Sequence, residues 1–224
     1  MCIRDSKYGI PVLEDDPYGE LYFEGQPLSP LKSMDKNGYV MYLSTFSKTI
    51  SPGLRLGWIC TGKKLIHQLC NIRQLADLHS NCISQQVVER FIVSGGMADY
   101  LTLIRREYKE RRDIMAEALD RYAPPGLSWN IPAGGYYLWC TLPEGVSAEA
   151  LAQKAAAGGV AILPGMPSYL VTRKGEAHVR LNYTFPAKNR ISEGIRLLCE
   201  AIRELLRLSK EAAWPAENEI NPIL

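Results

Sequence analysis

Apolar positions fall in short runs, and their period changes along the chain from that of strands to that of helices. Pro11-Val12-Leu13 is a short strand that runs into three carboxylates, Glu14-Asp15-Asp16, and then Pro17, which forces extended or turning backbone. Tyr39-Val40-Met41-Tyr42-Leu43 reads as a buried strand, and Leu56-Gly57-Trp58-Ile59-Cys60 as another. Residues 19–36, with Gly25, Pro27 and Pro30, read as a loop crossing toward the first of these. Helical spacing follows. Leu65, Ile66, Leu69, Ile72 and Ala76 share one face over residues 63–78. Ser80-Asn81 caps a helix over residues 83–93 that Gly95-Gly96 stops, and Leu101, Ile104, Tyr108, Met115 and Leu119 keep the period over residues 98–122.

Pro124-Pro125-Gly126 breaks that long helix and marks a domain boundary. Beyond it, strands are expected over residues 127–130, 136–142, 160–163 and 178–184. Helices are expected over residues 148–157, capped by Ser147, and 189–208. That alternation is the pattern of a small α+β domain. Residues 211–224 form a tail, and Trp214 to Leu224 reads as irregular. Met1 to Ser6 fits no targeting segment or helix start and is read as a non-native scar.

The chemistry concentrates between the two buried strands, in Ser44-Thr45-Phe46-Ser47-Lys48-Thr49-Ile50-Ser51-Pro52-Gly53-Leu54-Arg55. A lysine on a tight connection between buried strands loses hydration, which favours the neutral, nucleophilic amine. Such an amine can form a Schiff base with a carbonyl. A lone lysine is more often an ordinary solvated loop residue, so this reading needs partners. The acids at the end of the strand before Pro17 are one, because open α/β sheets keep their chemistry at the carboxyl ends of strands. Arg180, which interrupts the alternating pattern of His178-Val179-Arg180-Leu181-Asn182-Tyr183, is another; an arginine there can clamp a carboxylate with two parallel hydrogen bonds.

Together these stretches resemble the fold-type I, pyridoxal-phosphate-dependent aminotransferases of class I/II, in particular the branch of 2-aminoadipate, kynurenine and aromatic aminotransferases. The same domain occurs fused to a winged-helix domain in MocR-type regulators. The motifs run in the family's order: Asp15-Asp16-Pro17-Tyr18, Ser44 through Trp58, Pro132-Ala133-Gly134-Gly135-Tyr136-Tyr137-Leu138-Trp139, Leu163-Pro164-Gly165 and Val179-Arg180-Leu181-Asn182. The likeness covers about residues 7–208.

The resemblance implies an α/β fold. Residues 7–123 would be the C-terminal part of the fold-type I large domain, a mostly parallel sheet with flanking helices. Residues 124–210 would be the small α+β C-terminal domain. It implies an aminotransferase that moves an amino group from an L-amino acid to a 2-oxo acid, with pyridoxal 5′-phosphate held by Lys48 as a Schiff base. Asp15 would lie against the pyridine nitrogen and Tyr18 would hydrogen-bond the ring O3′, as the Asp-x-x-Tyr spacing of the family has it. Thr45, Ser47 and Arg55 would hold the phosphate, with Thr45 where many relatives carry serine. Arg180 would bind the substrate α-carboxylate. In the family a large region precedes the residue matching Asp15, including a glycine-containing phosphate loop and the aromatic that stacks on the ring. The chain is therefore expected to be roughly the C-terminal half of an aminotransferase unit, homodimeric when full length and inactive alone. The regulator reading, with nucleic acid as partner, requires a winged-helix domain upstream.

Composition narrows the field without choosing. Near half the 224 residues are apolar, and the net charge of +2 marks no nucleic-acid surface. The mixed-sign run around Arg105-Arg106 and Arg111-Arg112 reads as a solvated helix face. Six cysteines without pairing motif read as buried reduced thiols of a cytoplasmic protein. The scattered His67, His79 and His178 make no metal site, and no apolar run reaches membrane-spanning length.

Overall fold

Three strands gather around the lysine-bearing stretch. In the computed structural model, which describes residues 7–170 and 175–217, β1 (Val12–Asp15) lies parallel to β2 (Val40–Thr45), and β3 (Gly57–Cys60) returns antiparallel on the other side. The order β1-β2-β3 makes β2 central and leaves β1 and β3 as edges. Register pairs Asp15 with Leu43 and Thr45 with Gly57, so the acidic end of β1 lies beside the end of β2. Gly57 must be small, because an added Cβ would stand 2.9 Å from the Ser44 carbonyl oxygen. The expected scar at residues 1–6 and the end of the expected tail, residues 218–224, lie outside the described residues.

The expectation of two buried strands needs correction. Val40 is buried, but the rest of β2 is half-buried, and Trp58 on β3 is 44% exposed. Position explains it: β3 has a strand neighbour on one side only. The expected loop over residues 19–36 also holds one helical turn, α1 (Leu31–Met34). A single turn carries no period to read; it is fixed from outside, by the Glu14 carboxylate accepting the Leu31 and Lys32 amides at 2.7 and 2.9 Å.

Helices α2 (Lys63–Asp77), α3 (Cys82–Val93) and α4 (Gly96–Tyr122) follow where helical spacing put them. Asn81 caps α3, its side chain accepting from the Ser84 amide at 2.9 Å. Yet α2 buries none of its residues. The same incomplete cover corrects the reading of the thiols. Cys60, Cys70 and Cys82 are exposed, while Cys140 and Cys199 are buried.

The chain divides into two compact units, one running to Arg106 with Ala133–Gly135, the other Glu107–Pro132 with the chain from Tyr136 onward. The second unit holds an antiparallel sheet in the order β4 (Ser128–Asn130), β5 (Tyr137–Thr141), β7 (His178–Asn182), β6 (Leu163–Pro164). Helix α5 (Ala148–Ala157) is capped by Ser147, whose hydroxyl accepts from the Ala150 amide at 3.1 Å, and α6 (Lys188–Glu217) closes the unit. Strand alternation buries Leu138 and Cys140 on β5 and Val179 and Leu181 on β7. On α6, Ile191, Ile195, Leu198 and Ile202 recur at helical spacing and are all buried. Burying each such side chain contributes about 1.5–3 kcal/mol, so these repeats supply a continuous core. Burial raises the Cys140 thiol to about 12 and Cys199 to about 11, which leaves both as inert packing groups.

Two expectations shift in this unit. Residues 160–162 are not a strand; the Val160 amide is already donated to the Ala155 carbonyl at 2.9 Å, closing the end of α5. Helix α6 continues past residue 208 to Glu217, through part of the expected irregular tail. Among the described residues no helix is long and apolar enough to cross a membrane.

Candidate active site

Chain neighbours at the end of β1 have been given different work. Glu14 caps α1. Asp16 is held by Tyr42, whose hydroxyl donates to Asp16 Oδ2 at 2.8 Å. Burial, reinforced by the Asp16 carboxylate, raises the Tyr42 hydroxyl well above its ordinary range and keeps it a donor. Gly19 makes room for this pair, since a Cβ there would come 2.1 Å from Asp16 Oδ2. Asp15 projects to the other side of the strand, is exposed, and makes no hydrogen bond or ion pair among the described residues. Of the three carboxylates, it is the one left for a ligand.

The turn after β2 is built from its own hydrogen bonds. The Ile50 and Ser51 amides donate to the Phe46 carbonyl at 2.8 and 3.0 Å, and the Phe46 amide donates to Leu56 at 3.1 Å. The Ser51 hydroxyl accepts from the Gly53 amide at 3.2 Å, starting a 3-10 turn over Pro52–Leu54. Arg55 ends that turn in the left-handed region, with φ 54° and ψ 38°. A non-glycine residue there costs about 1–3 kcal/mol and persists where surrounding structure demands it. Lys48 sits half-buried inside this turn, its Nζ 6.0 Å from the centroid of the Tyr18 ring. The structure thus brings Lys48 and Tyr18 together.

Thr45 and Ser47 also meet. The Thr45 hydroxyl lies 3.0 Å from Ser47 Oγ, accepts from the Ser47 amide at 3.1 Å, and donates toward the Leu56 carbonyl at 2.9 Å. Arg55 is exposed and gives one bond, from NH1 to the Pro52 carbonyl at 3.1 Å. Two hydroxyls and a guanidinium with remaining donors, on one short turn beside a lysine, fit an anionic group of the size of a phosphate.

Arg180 belongs to the second unit, at the centre of β7. It is half-buried, directly opposite Trp139 in register, with its Cζ 4.2 Å from the centroid of the Tyr137 ring. Among the described residues no oxygen accepts a hydrogen bond from its guanidinium and no carboxylate pairs with it.

Several supporting residues escaped the sequence. Ser44 donates to the Asp16 carbonyl at 2.8 Å, locking β2 to the acidic turn. Asp35 accepts from the Val40 amide at 2.9 Å and from Lys32 at 3.0 Å and so anchors the start of β2; the Val40 amide foremost holds its carboxyl well below the usual range, against the cost of desolvation. Arg105 covers the Tyr22 ring at 4.1 Å and bonds the Glu20 carbonyl at 2.7 Å. Gly134-Gly135 reads equally as a hairpin turn or an active-site device, and the structure gives it a packing role. The Gly135 amide donates to Leu21 at 2.8 Å, and a Cβ on Gly134 would come 2.3 Å from the same carbonyl oxygen. The period-two spacing of Tyr42 and Ser44 on β2 was the available signal for their shared side; nothing in the sequence pointed to the Leu21 contact.

The family model for aminotransferase class I and II matches residues 4–201. The aromatic-amino-acid aminotransferase 1 of Thermococcus litoralis is 39% identical over 90% of this chain and 48% of its own length. The HTH-type transcriptional regulator YisV of Bacillus subtilis, an uncharacterized protein, is 36% identical over 89% of this chain and 41% of its own. The crystal structure of Pyrococcus horikoshii kynurenine aminotransferase in complex with PMP superposes with a TM-score of 0.87 at 39% identity, over 92% of this chain and 50% of that one. The chain spans about half the length of the curated relatives it matches.

Proposed function

The chain belongs to the class I and II aminotransferases, and from that membership we propose that its protein moves an amino group from an L-amino acid to a 2-oxo acid with pyridoxal 5′-phosphate. When bound, this cofactor supplies an aldehyde for an amine to join and a ring that takes up the electron pair left at Cα. Lys48 would hold it through its side-chain amine, and that amine, once freed by the amino substrate, would serve as the base that moves the proton at the substrate Cα. Asp15 keeps the ring nitrogen protonated, because a carboxylate beside it favours the charged form. Tyr18 hydrogen-bonds the ring O3′. Thr45, Ser47 and Arg55 hold the phosphate, and Arg180 takes the substrate α-carboxylate. The observation that carries the reading is the meeting of Lys48 with Tyr18, three residues after Asp15 at the end of β1.

The wider reading is a cytoplasmic homodimer with no membrane partner. A second function draws on the likeness to YisV: a cofactor-binding effector domain of a transcriptional regulator. One experiment separates the two. The protein expressed from its complete reading frame is loaded with pyridoxal phosphate and assayed with a panel of L-amino acids and 2-oxoglutarate. Turnover of at least one donor is expected. Cofactor binding without turnover of any donor, accompanied by sequence-specific DNA binding, would favour the regulator.

A further inference from the structure

The face of the second sheet turned away from its core surrounds Arg180 with Tyr137, Trp139 and His178, none of which has a role in the site above. Burial alternates along β5 and β7, so Tyr137, Trp139, His178 and Arg180 share the half-buried face. Register sets Trp139 opposite Arg180 and Tyr137 opposite Asn182, making Tyr137 the diagonal neighbour of Arg180. The two aromatic residues behave differently. Trp139 stacks on His178 at 5.6 Å, and Tyr169 packs on His178 at 5.4 Å, which ties those rings to one another. The Tyr137 ring meets the Tyr136 ring edge-on at 6.0 Å and lies 4.2 Å from the Arg180 Cζ.

We propose that Tyr137 is the positioning residue for Arg180: its ring holds the guanidinium so that the fork of donors is presented to a substrate carboxylate. The inference rests on Arg180 being the carboxylate clamp proposed above. A bidentate clamp needs the guanidinium plane fixed, and a long arginine side chain otherwise loses rotamer freedom on binding. A ring against the guanidinium holds it by cation–π attraction without occupying any of its N–H donors. A carboxylate partner would hold Arg180 as firmly but would compete with the substrate. The Tyr137 ring does not compete, and among the described residues the donors of Arg180 have no other acceptor.

The test measures binding of 3-phenylpropionate, a carboxylate that lacks the amino group and does not react, to the cofactor-loaded protein by calorimetry. It is run beside steady-state kinetics. Tyr137→Leu should weaken 3-phenylpropionate about tenfold and raise KM for amino acid and 2-oxo acid alike, with kcat little changed. Tyr137→Phe, which keeps the ring, should restore wild-type binding. Pentafluorophenylalanine at position 137 keeps the shape but reverses the ring's charge distribution, and should weaken binding as leucine does; it answers the question even if Tyr137→Leu folds poorly. Arg180→Met should weaken binding at least as much as Tyr137→Leu. Unchanged binding in Arg180→Met would remove the clamp itself. Weakened binding in Arg180→Met with wild-type binding in both Tyr137→Leu and the fluorinated variant would overturn the role of Tyr137 alone. Loss in Tyr137→Phe equal to that in Tyr137→Leu would move the effect from the ring to the hydroxyl and also overturn it.

Discussion

Asp15 and Asp16 are adjacent and chemically alike, and differ in what holds them. The Asp16 carboxylate is bound by Tyr42, while Asp15, on the other side of β1, makes no such bond among the described residues. Asp15→Asn should therefore keep cofactor binding and lose on the order of a hundredfold in kcat, because a neutral amide does not hold the ring nitrogen protonated. Asp16→Asn retains an acceptor for the Tyr42 hydroxyl and should turn over within a few-fold of wild type. Steady-state rates at saturating cofactor decide it, and the reverse pattern would reassign the ring-nitrogen partner to Asp16. Sequence could place an acid at this corner and, through the Asp-x-x-Tyr spacing, favour Asp15. What it could not show is why Asp16 is excluded, since its partner lies 26 positions away on β2.

Elements were legible where their signals were local. Asn81 and Ser147 cap the helices they were expected to cap, because a cap acts within three residues of itself. Elements that depend on distant groups were not legible. α1 exists because Glu14 accepts its first amides, and residues 160–162 are no strand because Val160 bonds back into the end of α5. Gly134-Gly135 belongs with the second kind. Its glycine requirement comes from the Leu21 carbonyl, more than a hundred positions upstream, and not from the turn itself. Gly134→Ala should accordingly destabilise the protein by about 1–3 kcal/mol, the usual cost of forcing an atom into a packed contact. A lower denaturation midpoint at unchanged slope would bear this out; a midpoint equal to wild type would show that the contact gives way.

At the scale of the molecule, apolar period marked candidate faces but did not tell which of them this chain covers. The face of α6 is buried by its own unit, whereas Ile72 and Leu75 on α2 are 62% and 88% exposed. Exposed apolar helix faces and the open edges β1 and β3 invite association. Residues 1–224 expressed alone should therefore be poorly soluble and lack transaminase activity. The protein from the complete reading frame should be a two-fold dimer. Light scattering after size exclusion, on both preparations, checks this; a well-behaved, active 224-residue monomer would contradict it. The assignment of Lys48 as the residue joined to the cofactor can be tested by itself. The measurement is borohydride treatment of the cofactor-loaded protein, followed by peptide mapping of the pyridoxyl group. The label is expected on Lys48, with the visible absorbance of lysine-bound cofactor lost in Lys48→Ala. Label on any other lysine, or the same absorbance in Lys48→Ala, would contradict it.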